Sequence, residues 1–435
     1  MRILISFSLI LVCSLLQAQK QEAYQFKTVK SHETTPVKSQ GMTGTCWAFS
    51  TASFLEGDLL RRGKGTYDLS EMFIVRHIYR QKCENYIRRQ GKAQFGEGGL
   101  AHDLLHAVAR YGVVTEDVYP GRKDASKPHQ HGAIEAGLKK LCDDLLAQAV
   151  EQRLNARWMA QIDSMLDESF GKVPVTFVVN GTQFSPTSFR DFLEMHPEDY
   201  VHLTSFTHHP FYESFILEIP DNWANGSFFN LPLDELMRCL NYALQQGYGV
   251  EWDADVSNRG FSAQNGLAIV PEKEWKDKNS AAQAATFKYW EAEKQVTQEY
   301  RQEMFDRLIV QDDHLMHITG IKDEVHSGLF YTVKNSWGEI SDLKGFVNTS
   351  EAYMRLNTIS FTIHKDALSS DIRKRMGLEP GDIHTEMPSH PKKPAGNNAQ
   401  EETVPFQPAK DSHGRIIAPV SKKPRAPSQK EQGDN

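Results

Sequence analysis

The sequence predicts an α+β protein that contains a large helical insertion. Helical periodicity dominates the first part of the chain, and segments rich in β-formers are concentrated after about residue 249. A length of 435 residues is sufficient for two or three domains. Hydrophobic residues make up 40% of the chain and charged residues 24%, which is ordinary for a protein that buries a core.

Apolar residues that recur at intervals of three and four predict the helices. In the first helix, Ala48, Ala52, Leu55 and Leu59 form one face, and Gly63 ends it. The predicted helices span residues 46–62, 70–89, 100–111, 133–167, 233–246 and 279–306. The predicted strands span residues 175–179, 249–255, 314–321, 329–334 and 360–364, with a hairpin loop at 322–328.

Both ends of the chain differ in character from the rest. Arg2, an apolar run from Ile3 to Leu16 and a small residue at Ala18 predict a signal peptide over residues 1–18. We therefore expect an exported protein that is periplasmic or extracellular. Residues 386–435 contain eight of the 19 prolines and few aliphatic side chains, so we expect a disordered tail.

Charge and hydropathy disfavour two classes of partner. The chain has 49 basic and 56 acidic side chains and a formal charge of −7, and a nucleic-acid binder would normally have a basic excess. After the signal peptide, no apolar run is long enough to predict a stable membrane span. If one of the four remaining cysteines is a nucleophile, at most one disulfide can form among Cys83, Cys142 and Cys239.

Cys46 is the most informative residue of the first helix. A Gly/Thr loop leads directly into it, and the unpaired N–H groups and dipole of a helix N-terminus favour a thiolate. Gln40 lies six residues upstream and could direct its amide N–H toward an oxyanion, beside the backbone N–H of Cys46. The alternative is a buried structural cysteine at a helix start.

Partners for a nucleophilic cysteine follow on the predicted hairpin. His314 opens one strand and Asn335 ends the next, so a base and a residue that orients it can meet, with Trp337 covering their bond from water. His317 competes with His314 as the base. The two histidines are an odd number of residues apart, so on a strand they face opposite sides. The other histidines, including His208 and His209, lack the spacing of a metal site.

Several sequence blocks in the same order resemble a papain-like cysteine peptidase, and more closely the bleomycin hydrolase/aminopeptidase C branch. They are residues 36–49 with Gln40 and Cys46, residues 69–71, the pair Gly98 and Gly99, residues 314–320 and residues 334–338. The long separation between Cys46 and His314 leaves room for large insertions. The short segment before Gln40 leaves no space for a long inhibitory propeptide, which also favours this branch.

The resemblance implies a two-lobed fold over residues 19–385. The helical lobe covers about residues 36–120, the insertion about 121–248 and the β-rich lobe about 249–370. It also selects His314 over His317, because the family places its catalytic histidine after a polar or acidic residue and six residues before a glycine. The implied catalytic residues are Gln40, Cys46, His314 and Asn335, and the implied substrate-binding residues are Gly98, Gly99, Trp47, Asp313 and Trp337.

The function implied by the resemblance is peptide hydrolysis without a metal or an organic cofactor. An aminopeptidase is expected, and a homo-oligomer is a further implication. In the branch, the chain's own C-terminus lies in the cleft and selects free N-termini, but here the tail is long and rich in Pro and Lys. An endopeptidase with an open cleft and a non-catalytic peptide-binding protein therefore stay as alternatives. Several carboxylates could read a substrate's amino group or could lie on a solvated surface: Glu97, Asp253, Asp255, Asp312 and Asp313.

Overall fold

The computed structural model describes residues 22–124, 126–154 and 157–378, so the predicted signal peptide and tail lie outside the described residues. The helices are α1 (Cys46–Arg61), α2 (Glu71–Arg88), α3 (Ala101–Tyr111), α4 (Gly132–Glu151), α5 (Trp158–Phe170), α6 (Pro186–Phe192), α7 (Leu233–Gln245), α8 (Ser280–Ala285), α9 (Gln298–Asp306), α10 (Glu351–Asn357) and α11 (Ser370–Arg375). The strands are β1 (Phe26–Ser31), β2 (Phe177–Val179), β3 (Thr182–Phe184), β4 (Tyr200–Thr204), β5 (Ser214–Ile216), β6 (Ser227–Asn230), β7 (Val250–Ala254), β8 (Phe261–Ser262), β9 (Leu267–Ala268), β10 (His314–Glu324), β11 (Gly328–Lys334), β12 (Phe346–Ser350) and β13 (Thr358–His364).

Local sequence signals determine where the first helices begin and end. The Ser70 hydroxyl accepts a hydrogen bond from the Phe73 N–H at 3.0 Å and so caps α2. Beyond α1, Gly63 adopts a φ of 68°, which glycine tolerates without the steric cost that other residues incur. The predicted end of the first helix at this glycine therefore agrees with the structure.

A large mixed sheet of eleven strands forms the second part of the protein within the described residues. Its order is β5-β6-β4-β13-β7-β10-β11-β12-β9-β8, and β1 pairs with β10. β10 is central because its first half pairs with β7 and its second half with β1, while β11 runs along its other edge. β2 and β3 form a separate hairpin. This arrangement places the start of β10 and the end of β11 side by side.

Helix α1 packs across this sheet through small side chains. The Ser53 Oγ atom lies 3.0 Å from His317 Nδ1 on β10. A Cβ atom on Gly57 of α1 would lie 3.1 Å from the His317 ring, and one on Gly249 would lie 2.3 Å from it. His317 is therefore held between two glycines, and the close approach brings the first turn of α1 to the start of β10.

The prediction of one helix over residues 133–167 is wrong, because the segment forms the two helices α4 and α5. Both pack on α2, and α5 is bound to it by ion pairs from Arg76 to Asp167 at 2.5 Å and from Arg80 to Asp163 at 2.7 Å. A single straight helix over these residues would extend beyond α2 and leave the apolar face of one half exposed to solvent. The break allows both halves to bury their apolar faces.

The prediction of one helix over residues 279–306 is also wrong. Only α8 and α9 are helical, and the chain between them is extended against residues 270–272. Glu272 N–H donates to the Ala292 carbonyl at 2.8 Å, and Lys294 N–H donates to the Val270 carbonyl at 3.0 Å. These tertiary backbone hydrogen bonds outweigh the modest helical preference of the segment.

The segment predicted as a helical insertion, residues 121–248, also contains strands. β4, β5 and β6 lie within it and extend the large sheet beyond β13. The four cysteines of the described part are free and buried, so no disulfide joins them there. Among the described helices, none combines the length and apolar character needed to cross a bilayer.

A buried polar network joins α1 to the N-terminal segment and to β11. The Glu56 carboxylate accepts hydrogen bonds from the Thr35 hydroxyl at 2.5 Å and the Leu69 N–H at 2.8 Å. Lys334 Nζ donates to the Thr35 hydroxyl at 3.0 Å and to the Ser53 hydroxyl at 2.8 Å. Glu56 is only 2% exposed. The network therefore holds α1 against the strand that ends just before Asn335.

We predict that Glu56→Ala destabilises the protein by about 2–4 kcal/mol, because it leaves buried donors without an acceptor. Urea unfolding followed by tryptophan fluorescence measures this change. The matched control is Glu84→Ala on α2, where the carboxylate forms a solvent-accessible pair with Arg88 and the expected cost is below about 1 kcal/mol. Equal unfolding midpoints for the two variants would contradict the assigned role of the network.

Candidate active site

Cys46 is the first residue of α1, and it lies against the start of β10. Thr45 precedes it at the N-cap without a side-chain capping hydrogen bond, so the first N–H groups of the helix are available to another partner. The backbone of Leu315, on β10, lies near enough to the Cys46 thiol to lower its pKa. The side chain is buried, with 8% exposure. The sequence predicts an oxyanion site beside the Cys46 N–H, and this position lies where α1 meets the large sheet.

The hydrogen bonds of Asn335 determine which nitrogen of His314 is basic. Asn335 Oδ1 accepts the backbone N–H of Ser336 at 2.7 Å, so this atom is the amide oxygen. His314 Nε2 lies 2.7 Å from the same oxygen and must donate to it. In the neutral ring, Nδ1 therefore carries the lone pair. A neutral His314 is thus prepared to accept a proton at Nδ1.

Trp337 and Gln40 complete the surroundings of this pair. The Trp337 ring lies 4.6 Å from the His314 ring between centroids and covers the bond to Asn335. Gln40 Oε1 accepts from the Ser336 hydroxyl at 2.7 Å, and Gln40 Nε2 donates to the Thr43 carbonyl at 2.7 Å. The second hydrogen on Nε2 is available for a ligand. The structure therefore brings together Gln40, Cys46, His314, Asn335 and Trp337.

Burial opposes ionisation of both the thiol and the imidazole. Burial is the largest cause that raises the pKa of Cys46, and Asp312, Asp221 and Asp253 raise it further. Burial also lowers the pKa of His314 to about 4, although the bond to Asn335 acts in the opposite direction. The N-terminus of α1 favours the thiolate, as the sequence predicted, but burial and the three aspartates oppose this effect on the Cys46 pKa. In the unliganded site, burial therefore favours the neutral thiol and the neutral imidazole.

The predicted substrate-binding residues fall in two different environments. Trp47 is completely buried, and its Nε1–H donates to the Glu97 carbonyl at 3.0 Å. The prediction that Trp47 contacts substrate is therefore wrong, since the ring packs beneath Gly99 instead. Gly98 is half-buried, and its carbonyl accepts a hydrogen bond from Lys82 Nζ.

The two aspartates before His314 point to different parts of the molecule. Asp313 accepts the Val256 N–H at 3.2 Å, so its carboxylate anchors the segment that follows β7. Asp312, in contrast, raises the pKa of the Cys46 thiol, and the Asp221 backbone lies near enough to lower the pKa of Asp312. Asp312 is thus the carboxylate of this pair that belongs to the site.

Asp221 is a site residue that the sequence analysis missed. It lies in the loop of residues 217–226 between β5 and β6, far along the chain from Cys46 and from His314. A Cβ atom added to Gly98 would lie 2.0 Å from Asp221 Oδ2, which places this carboxylate directly on the glycine. No local motif marks Asp221, and only the folded sheet brings it to the site.

His208 and His209 are adjacent to a carboxylate at the protein surface. His209 Nε2 lies 2.7 Å from Glu218 Oε1, and His208 Nε2 lies 3.3 Å from Glu218 Oε2. The potential ligand atoms of these three residues lie within 4.8 Å of one another. His208 and Glu218 are exposed, and His209 is half-buried. The described residues around Cys46 form no such group of potential metal ligands.

Curated relatives match along most of the chain. Aminopeptidase G of Lactobacillus delbrueckii subsp. lactis is 23% identical over 391 residues, which are 80% of this chain and 85% of that protein. Aminopeptidase C of Listeria innocua is 23% identical over 395 residues, which are 81% of this chain and 86% of that protein. The chain is therefore similar to these proteins across nearly their whole length.

A solved structure and a family model agree with these relatives. The structure of PepW from Lactobacillus rhamnosis has a TM-score of 0.64 at 18% identity and covers 81% of this chain and 84% of its own. This likeness confirms the predicted α+β papain-like fold. The model of the Peptidase C1-like family matches residues 91–386, a range that includes His314 and Asn335. The predicted resemblance is confirmed, and the chain belongs to the Peptidase C1-like family.

Proposed function

We propose that this protein is a cysteine aminopeptidase. The observation that carries the proposal is the hydrogen bond from His314 Nε2 to Asn335 Oδ1, which leaves Nδ1 as the base close to a cysteine at a helix N-terminus. Named aminopeptidases among the relatives support removal of N-terminal residues. Peptides are the expected substrates, and the residues around Cys46 supply each group that acyl transfer requires.

The reaction begins with proton transfer from the Cys46 thiol to His314 Nδ1. The sulfur attacks the peptide carbonyl, and the Cys46 N–H and Gln40 Nε2 donate to the tetrahedral oxyanion. The His314 imidazolium then protonates the leaving amine as the C–N bond breaks, which leaves a thioester. His314 next takes a proton from water as the hydroxide attacks the thioester. The C–S bond breaks and releases the carboxylic acid, and the imidazolium returns its proton to the sulfur. Asn335 keeps the ring in the orientation that both steps require.

The reaction products distinguish this proposal from two alternatives, an endopeptidase and a peptide-binding protein. An endopeptidase would need a cleft that is open on both sides of Cys46. A peptide-binding protein would hold peptides without cleaving them. Export stays a prediction, supported by Arg2 and the apolar run up to Leu16.

We predict that the protein removes residues stepwise from peptides with free N-termini and leaves acetylated peptides intact. Products are identified by mass spectrometry in the presence of a reductant. Cys46→Ala should lower the rate by at least about 10³-fold, because the nucleophile is lost. Cys239→Ala, on α7, is the control for loss of a thiol elsewhere.

The products decide between the three functions. Internal cuts in both free and acetylated peptides would indicate an endopeptidase. A wild type that behaves like Cys46→Ala on every peptide would contradict a peptidase and favour the binding protein.

We also predict different outcomes for the two histidines of β10. His314→Gln should lower kcat by about 10²- to 10⁴-fold, because the general base and acid is removed. His317→Gln should lower the melting temperature and reduce kcat far less than His314→Gln does, because His317 transfers no proton but fills the space between Gly57 and Gly249. Steady-state kinetics and thermal unfolding measure both effects. A large loss of kcat in His317→Gln with His314→Gln still active would reverse the assignment.

A further inference from the structure

The loop of residues 217–226, named here the β5–β6 loop, reaches both sides of the site. On the helical side, its Asp221 carboxylate lies against Gly98. On the sheet side, the Asp221 backbone lies near enough to the Asp312 carboxylate to lower its pKa. The loop therefore bridges the helical part and the sheet at the glycine end of the site. A substrate that continued past Gly98 would meet Asp221.

Hydrogen bonds and close packing hold the β5–β6 loop in place. Asn222 Nδ2 donates to the carbonyls of Leu217 and Gly226, each at 2.9 Å, and Asn222 Oδ1 accepts the Gly226 N–H at 2.6 Å. Trp223 Nε1 donates to Asp103 Oδ2 at 3.0 Å, which fixes the loop to α3. The loop is thus braced within itself and against the helices, so closure of this end is part of the fold.

Three carboxylates converge at this closed end. Asp221, Asp312 and Asp253 each raise the pKa of the Cys46 thiol. Asp221 lies against Gly98, and Asp253 pairs across the sheet with Leu315, the residue after His314. Asp253 is completely buried. Among the described residues, its Oδ1 atom has no hydrogen-bond donor other than the carboxyl pair that Asp253 forms with Asp312. A buried carboxylate oxygen without a further donor favours a ligand that can donate a hydrogen bond to it.

The charge of Lys82 lowers the pKa of Asp221, but the Lys82 ammonium forms its hydrogen bonds with other groups. Its ammonium donates to the carbonyls of Gly96, at 2.9 Å, and Gly98. Within the described residues, no ion pair joins Lys82 to Asp221, Asp253 or Asp312. The negative charge of the cluster is therefore only partly balanced by the protein.

We propose that the β5–β6 loop closes the cleft and that Asp221, together with Asp312 and Asp253, binds the α-ammonium group of the substrate. This inference rests on the proposed aminopeptidase function and gives it a specific basis. The α-nitrogen of an N-terminal residue is only two bonds from the carbonyl carbon that Cys46 attacks. Carboxylates at the closed end beside Gly98 suit the nitrogen of the first residue, so the expected product is a single amino acid.

Binding of the ammonium group would also activate the nucleophile. The three carboxylates disfavour the thiolate, so a positive charge placed among them reduces this effect and lowers the pKa of Cys46. An acetylated N-terminus brings no such charge and adds bulk against Gly98. Discrimination therefore has an attractive component, the ion pair, and a repulsive component, the closed end.

The first test measures binding without catalysis, in the full-length Cys46→Ala protein. Leucinamide, which has a free ammonium group, should bind at least about tenfold more tightly than N-acetyl-leucinamide in titration calorimetry. Adding Asp221→Asn or Asp312→Asn should weaken leucinamide binding by about 10- to 100-fold, since a charged hydrogen bond is lost. Adding Glu218→Gln, an exposed change in the same loop, should have no effect. Equal binding of the two amides would overturn the inference.

The second test measures cleavage with Cys46 intact. Wild type should release one residue per turnover from free peptides, and Asp221→Asn should raise KM for them far more than it lowers kcat. Glu218→Gln should behave like wild type. Release of dipeptides, or unchanged KM in both Asp221→Asn and Asp312→Asn, would overturn the inference even if peptidase activity is present. Loss of cleavage by wild type together with selective leucinamide binding would instead contradict the proposed function and leave ammonium recognition supported.

Discussion

The close packing of α1 on β10 is the contact on which the rest of the site depends. Ser53 and Gly57 allow the helix to approach His317, and Gly249, just before β7, leaves room for the same ring on its other side. This packing determines where the helix begins relative to the strand, and therefore where Cys46 lies relative to His314. The nucleophile and the base belong to different structural elements, so side chains with no catalytic role control their geometry.

The electrostatics of the site follow from the same burial. A buried thiol and a buried imidazole both favour their neutral forms, and the nearby carboxylates add to the cost of a thiolate. In such a site, charge separation is cheapest when the substrate itself brings a positive charge. A free ammonium group placed beside Asp221 and Asp312 would meet this requirement. Selectivity for free N-termini and activation of the thiol would then have one physical cause.

The sequence was sufficient to predict the residues that local signals mark. Cys46 follows a glycine-rich loop at a helix start, and His314 and Asn335 occupy the ends of two strands in a recognisable hairpin. The strand predicted at residues 329–334 and the helix predicted at 100–111 lie within a residue or so of β11 and α3. Such elements combine clear periodicity with glycine or capping residues at their ends.

The rest depends on contacts between distant segments. Residues 133–167 have the apolar periodicity of one helix, but α2 offers ion-pair partners to a helical hairpin, through Arg76 and Arg80. Asp221 has no neighbouring motif, and its role arises only because β5 and β6 join the large sheet. Trp47 adjoins the nucleophile in sequence, yet helix geometry turns its ring into the core. Adjacency in sequence is a poor guide to which side chains line a cleft.

The most direct test of this account is a crystal structure of the Cys46→Ala protein with a tripeptide that has a free N-terminus. We predict that the ammonium group lies within hydrogen-bond distance of Asp221 and Asp312, with the first carbonyl carbon facing residue 46 and the β5–β6 loop in place. A peptide that runs past Gly98 with the loop displaced, or with its N-terminus away from these carboxylates, would contradict it.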